Sequence, residues 1–164
     1  MKVTDIQTFL DYYAKVRART LKMVVLIPPD HIDWKYRQDK FSIGDMVRHI
    51  AAIERYLYAE VVQGNKSRYT GCGKELAASY DEVVHFITTL HEESTNIFKG
   101  ISNDALPNKC CMPGGHSISV ASALRAMTEH EIHHRGQLYM YLEMLGVRTP
   151  PIFGMTSEDV INRA

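Results

Sequence analysis

The sequence predicts an all-α protein, a four-helix bundle with long connecting loops that forms one domain over residues 1–164. Four segments carry apolar residues at three- and four-residue intervals, which is the period of an amphipathic helix. Paired prolines and glycine-containing stretches separate these segments, and we find no convincing strand between them. A chain of 164 residues is also long enough to bury one hydrophobic core.

The first helix is predicted to begin at a capping box formed by Thr4 and Gln7. Its basic residues, Arg17 among them, are expected to lie mostly outside. Pro28 and the proline after it should end the helix, because proline cannot continue the hydrogen-bond ladder. The predicted buried face consists of apolar residues and one threonine: Ile6, Phe9, Leu10, Tyr13, Val16, Thr20 and Val24.

The second and third helices have clear start signals. Ser42 is a good N-cap with Asp45 at the third helical position, and this helix should end near Gly64. Ser79 and Glu82 form a capping box for the third helix. The two histidines of that helix, His85 and His91, are expected on the surface, since they lie away from the centre of its apolar stripe.

The fourth helix follows a long loop, residues 102–117, and is capped by Ser117 or Ser119. Gly146 is a good C-terminal stop, and a short helical turn is expected from Ser157. Apolar residues that recur along this helix form one stripe: Val120, Ala123, Met127, Leu138, Tyr141 and Leu145.

Two histidines interrupt that stripe. His130 and His134 are four residues apart, so they stand one turn from each other on one helix face and can bind the same ion. His133 is turned away at about 100° per residue, so we choose His134 as the second inward imidazole. The alternative to a metal site is that His130 and His134 are core residues whose ring nitrogens only form hydrogen bonds. His49, on the flank of the second helix, is permitted as a third ligand by its position but is not required.

The charge balance argues against several partner classes. Lysine plus arginine and aspartate plus glutamate both number 19, which predicts no binding of nucleic acid or of a membrane surface. Three cysteines, two of them adjacent, do not form a disulfide framework, so a reducing, cytoplasmic location is expected. Cys110 and Cys111 beside His116 match no familiar metal spacing.

Two segments resemble the DinB family of helical-bundle metalloenzymes. In residues 130–146, a histidine is followed four residues later by a second histidine and then by Arg-Gly-Gln, which is similar to the family's last helix. In residues 41–51, His49 lies seven residues after the capping Ser42, as at the start of the family's second helix. The order of the segments and the helix pattern agree over nearly the whole chain.

The resemblance implies a divalent-metal site, zinc or nickel, with His49, His130 and His134 as ligands. Three imidazoles leave a position open for water or substrate, which is typical of catalytic sites. Such a metal would lower the pKa of bound water or of an incoming thiol. The implied function is a metal-dependent thiol S-transferase-like or hydrolase-like enzyme with a small-molecule substrate and a low-molecular-weight thiol as cosubstrate. The alternative is a non-catalytic metal-binding stress-response or interaction module.

Arg135 and Gln137 are candidates for roles beside the ligands. Gln137 lies one turn beyond His134 and could hydrogen-bond near the metal or cap a neighbouring loop. Arg135 could pair with a substrate carboxylate, but an ion pair with Glu131 is the favoured prediction because the spacing is i,i+4.

A homodimer is expected from the outer face of the fourth helix. Gly136 costs about 1 kcal/mol relative to alanine in a helix, so another helix or a second subunit is predicted to pack closely there. Tyr139, Met140 and Met144 add an apolar patch that a two-fold partner would bury. The C-terminal segment, residues 151–164, is the alternative cover. Members of the family that this chain resembles are often dimers.

Overall fold

The computed structural model describes residues 2–163 and is predominantly helical. The longer helices are α1 (Ile6–Val24), α2 (Ile43–Ile53), α4 (Tyr80–Lys99) and α5 (Val120–Met144). A π-helical turn, Glu54–Tyr58, continues α2 directly into the short α3 (Ala59–Val61), and α6 (Ser157–Arg163) lies near the C-terminus. Short 3₁₀ turns occur in the connections at Pro29–His31, Lys74–Leu76 and Asn103–Ala105. The prediction that α1 extends to the two prolines is therefore wrong by one turn.

Each of the four longer helices packs against two neighbours: α2 against α4 and α5, and α1 against the same two. Apolar side chains fill both ends of the interior, one cluster around Phe9 and Phe98 and the other around Ile43 and Leu138. Trp34 is partly buried and packs against the second cluster. Within residues 2–163, no helix combines the length and the apolarity that crossing a bilayer requires.

The helix ends agree with most of the predicted caps. Ser42 and Ser79 both form complete capping boxes, with Asp45 and Glu82 as their partners. Ser119, one of the two predicted choices, caps α5. The predicted box at Thr4 is wrong, because the next residue, Asp5, accepts the hydrogen bond from the amide of Thr8 instead. At such an end a carboxylate is as good an acceptor as a hydroxyl.

The prediction that the chain has no strands is also wrong. The long loop before α5 contains an antiparallel hairpin of β1 (Lys109–Cys111) and β2 (Ser117–Ser119), in which Cys110 is opposite Ile118. Gly114 and Gly115 have φ values of +89° and +84° and make the connecting turn possible. Strands of three residues are too short to show an alternating pattern, so periodicity does not reveal them.

A buried cluster of charged and polar side chains lies between the two apolar clusters. Arg17, predicted to be outside, is only 2% exposed and bonds to the carboxylates of Glu54 and Glu131. The Tyr13 hydroxyl donates to Glu131 Oε2 (2.8 Å), and the Thr20 hydroxyl donates to Glu131 Oε1 (2.6 Å). We call these five residues the charged cluster. It ties α1, the π-helical turn and α5 together through ion pairs and hydrogen bonds.

Ionisation in the charged cluster is shifted by its surroundings. Burial lowers the pKa of Arg17, but Glu131 and Glu54 raise it by more, so the guanidinium ends above its ordinary pKa and stays charged. Burial, with the same two carboxylates, raises the pKa of Tyr13 well above its ordinary value, so its hydroxyl remains a donor. His91 Nδ1 lies 2.9 Å from Glu54 Oε1. The prediction that His91 is a plain surface residue is therefore wrong.

Candidate metal centre

Three histidines from two helices meet at one side of the bundle. His49 on α2 and His130 on α5 lie with their Nε2 atoms 3.0 Å apart. The His134 ring centroid is 4.8 Å from that of His49 and 4.5 Å from that of His130. One nitrogen from each imidazole can be chosen such that all three lie within 4.8 Å of one another. Nitrogens this close can bind one ion, since ligands at about 2.0–2.1 Å from a metal lie only a few ångströms apart.

Two hydrogen bonds orient the imidazoles. His134 Nδ1 lies 2.7 Å from the amide oxygen of Gln137. Because that oxygen can only accept, Nδ1 carries the proton and the lone pair of His134 is on Nε2. His49 Nδ1 lies 2.8 Å from the hydroxyl of Tyr69. Such partners of the second ring nitrogen are typical of metal-binding histidines, whose tautomer they fix.

All three imidazoles are held in the neutral form. Burial, and next the charge of His134, lowers the pKa of His49 to about 4. Burial, followed by the neighbouring histidines, lowers the pKa of His130 to about 3. Burial also lowers the pKa of His134, although the bond to Gln137 acts in the opposite direction. Neutral imidazoles have a free lone pair at pH 7, so the donor set suits a divalent transition metal.

A cleft of about 600 Å³ opens beside the histidines. Its walls are mostly aromatic and thioether side chains, and we call it the methionine cleft. His134 and Gln137 belong to its lining, and Phe41 packs against the rings of His49 (5.1 Å between centroids) and His134 (6.4 Å). The cleft is lined by Tyr36, Asp39, Lys40, Phe41, Met46, His134, Gln137, Met140, Tyr141 and Met144.

The structure brings together the three histidines that the resemblance implied, and no other such group of potential ligands occurs in residues 2–163. His133, which periodicity placed outside, is exposed and bonds through Nε2 to the Gln137 amide (3.1 Å). The remaining histidines lie away from this group: His31, His85, His91 and His116. Cys72, Cys110 and Cys111 are free thiols.

Gln137 lies beside the histidines, whereas Arg135 faces α1. Gln137 contacts His134, as one of its two predicted roles required. Arg135 points the other way: it is 5% exposed and donates to the carbonyl of Val16 (3.2 Å). The favoured ion pair of Arg135 with Glu131 does not form, because the Glu131 carboxylate bonds to the charged cluster. Arg135 therefore supports the packing of α5 on α1 and does not face the cleft.

Gly136 has no neighbour that explains its lack of a side chain. A β-carbon added there would have no heavy atom of the described chain within 4 Å beyond its own helix. The prediction that another helix of this chain packs on Gly136 is therefore wrong. The prediction of a second subunit at this position stays a prediction.

Sequence reasoning missed Tyr69 and Phe41, which contact the histidines from connecting segments. Tyr69 lies in the loop after α3, twenty residues from the histidine it contacts, and Phe41 precedes the cap of α2. Helical periodicity carries no information about such loop residues, so no signal in a single sequence would have identified them.

The helical architecture and the converging histidines define a class of helical proteins with a candidate metal site between two helices. Residues 12–138 match the model of the DinB superfamily. The chain belongs to this superfamily. It is 23% identical over 147 residues to the uncharacterized protein YjoA of Bacillus subtilis. The aligned region covers 88% of this chain and 93% of YjoA.

Solved structures show the same fold. The crystal structure of the DinB-like protein YjoA superposes with a TM-score of 0.74 at 22% identity, covering 91% of this chain and 99% of that one. YfiT from Bacillus subtilis, described as a probable metal-dependent hydrolase with an unusual four-helix bundle topology, gives 0.69 at 15% identity, covering 87% and 89%. A mycothiol-dependent maleylpyruvate isomerase gives 0.62 at 12% identity, covering 83% and 63%.

Proposed function

We propose that this protein is a metal-dependent enzyme that transfers a thiol to an electrophile or hydrolyses a small substrate. The observation that carries the proposal is the convergence of His49, His130 and His134, with His134 in the lining of an open cleft. A purely structural site would be closed by a fourth protein ligand, whereas a catalytic site keeps a position accessible. We further infer that the four longer helices form a four-helix bundle of the DinB-like type.

The three imidazoles would hold zinc or nickel. A divalent ion there supplies Lewis-acid chemistry that lowers the pKa of a bound water or thiol towards neutrality. Gln137 keeps the proton of His134 on Nδ1, so the Nε2 lone pair of His134 stays available. Tyr69 holds the His49 ring in place through Nδ1. Phe41 packs over two of the rings and limits the access of bulk water from that side.

Two relatives support the reaction class. YfiT is described as a probable metal-dependent hydrolase, and the isomerase as dependent on mycothiol, a low-molecular-weight thiol. Both have the fold of this chain, and neither is close enough in sequence to transfer a substrate. The open site favours catalysis over a non-catalytic metal-binding module, because such a module needs neither an accessible position nor an adjoining cleft.

Elemental analysis of protein purified without an affinity tag tests the metal site. We expect about one divalent ion per chain, and loss of most of it in His49→Ala, His130→Ala and His134→Ala. His133→Ala is the matched control, since His133 is adjacent in sequence but exposed and outside the group. A wild-type protein that binds no metal, or a control that loses it equally, would contradict the proposal.

Activity is tested on the metal-loaded protein. A panel of low-molecular-weight thiols with alkylating electrophiles, and a panel of ester and amide substrates, separates thiol transfer from hydrolysis. Turnover should depend on metal and be abolished in His134→Ala but kept in His133→Ala. Bound metal with no turnover in either panel would favour the non-catalytic module.

A further inference from the structure

One group of exposed apolar side chains lies around the methionine cleft. Tyr36, Phe41, Met140 and Met144 are between 38% and 56% exposed, and all four line this one cleft. Its floor is Tyr141, which is 7% exposed. Such a concentration of apolar surface on a soluble domain usually marks a binding site.

The chemistry of the walls indicates what would bind. Three aromatic rings offer faces and edges to a flat ring, and three thioethers are polarisable and adapt their shape to it. Asp39 and Lys40 are the two lining residues with a formal charge. Asp39 Oδ2 accepts from the Arg37 guanidinium (2.9 Å) and lies 3.6 Å from Lys40 Nζ. These charged side chains are 42–60% exposed, so water screens them and the apolar walls supply the binding.

The volume fits a small molecule. A cleft of about 600 Å³ lies within the range of roughly 300–1,000 Å³ that is usual for drug-sized ligands. Because His134 and Gln137 belong to its lining, one end of any occupant would lie beside the histidine group.

We infer that the methionine cleft binds the uncharged, ring-bearing apolar part of the substrate and directs its reacting end towards His134. This substrate class deepens the proposed function and rests on it for the reaction, but binding itself requires only the cleft. Met140 and Met144 are specificity-determining residues in this assignment, because they form its wall on α5.

Trp34 provides a direct readout of binding. It is the only tryptophan of the chain, and its ring packs edge-to-face on the cleft floor, Tyr141, at 5.4 Å between centroids. Tyr36 also packs edge-to-face on Tyr141, with 5.4 Å between the ring centroids. A ligand that enters the cleft must contact this aromatic group and should change the emission of Trp34.

The test is a fluorescence titration of the full chain, metal-free and zinc-loaded, with phenylbutanol and hexanol. We expect saturable binding of phenylbutanol, with hexanol at least tenfold weaker because it lacks a ring. Met140→Glu should weaken phenylbutanol binding at least tenfold. Ile132→Glu is the control on the same helix outside the cleft and should change it less than twofold.

Several outcomes would overturn the inference: no saturable signal, equal binding of phenylbutanol and hexanol, or equal losses in both variants. Sedimentation of the same samples identifies a competing occupant. If Met140→Glu converts a dimer into monomers and phenylbutanol does not bind, a second copy fills the cleft and the inference is wrong. If phenylbutanol binds as expected but the protein holds no metal, the cleft assignment stands while the proposed enzymatic function fails.

Discussion

Replacing Arg17 by methionine would leave two buried carboxylates close together without their shared cation. Arg17 is 2% exposed, and Glu54 and Glu131 are each 1% exposed, so water cannot replace the lost partner. Removing one member of a buried ion pair typically costs about 3–5 kcal/mol. We place Arg17→Met in that range, which is a large share of the roughly 5–15 kcal/mol that stabilises a typical domain.

Urea unfolding followed by far-UV circular dichroism at pH 7 would measure this loss. Arg125→Met is the matched control, because Arg125 is half exposed and its ion pair with Glu129 is 3.5 Å long; its cost should stay below about 1 kcal/mol. Adding Glu131→Gln to Arg17→Met should recover part of the loss by removing one charge. The reasoning is refuted if Arg17→Met costs no more than the control, or if the second substitution adds a further loss.

Four more predictions concern the histidines and α5. Metal-free protein should lose stability as the pH falls below 6.5. The histidines of the unfolded chain bind protons there, whereas the lowered pKa values of His49 (about 4) and His130 (about 3) keep these imidazoles unprotonated in the folded state. Unfolding free energies that are equal at pH 7 and pH 5 would contradict this prediction. Gln137→Leu should weaken metal binding about 10- to 100-fold, measured by competition with a chelator. Gly136→Ala should raise the free energy of unfolding by up to about 1 kcal/mol, since nothing crowds the added methyl group. If the predicted homodimer forms there, sedimentation should show Gly136→Leu dissociating it; a wild-type monomer of 18.7 kDa would exclude the dimer.

The helices and two of the three histidines were predictable because both depend on local spacing. His130 and His134 are one turn apart, and any α-helix places such a pair on one side. His49 is on another helix, and periodicity alone left its direction open; only the resemblance to a family selected it. Tyr69 was beyond prediction because its contact depends on how a loop folds back over α2.

Arg17 shows where pattern reasoning fails for physical reasons. A basic residue between apolar positions is usually solvated, since burial of an unpaired charge is costly. Its burial depends on carboxylates from the π-helical turn and α5, and one sequence does not reveal these contacts between distant segments. Pattern reasoning fails for α5 in a similar way. The residue that faces the core at this turn is Glu131, whereas His130, which the apolar stripe predicts to be inward, is only half buried.

The π-helical turn Glu54–Tyr58 has a consequence for how the chain can change in length. Its closing bond runs from the amide of Ala59 to the carbonyl of Glu54, so the turn contains one residue more than an α-helical turn. The helices on the two sides of the turn, α2 and α3, are each regular. A chain that lacked one residue of this turn could therefore rejoin α2 and α3 as regular helix, leaving His49 where it is. If the missing residue were Glu54, Arg17 would keep only one of its two buried carboxylates, that of Glu131.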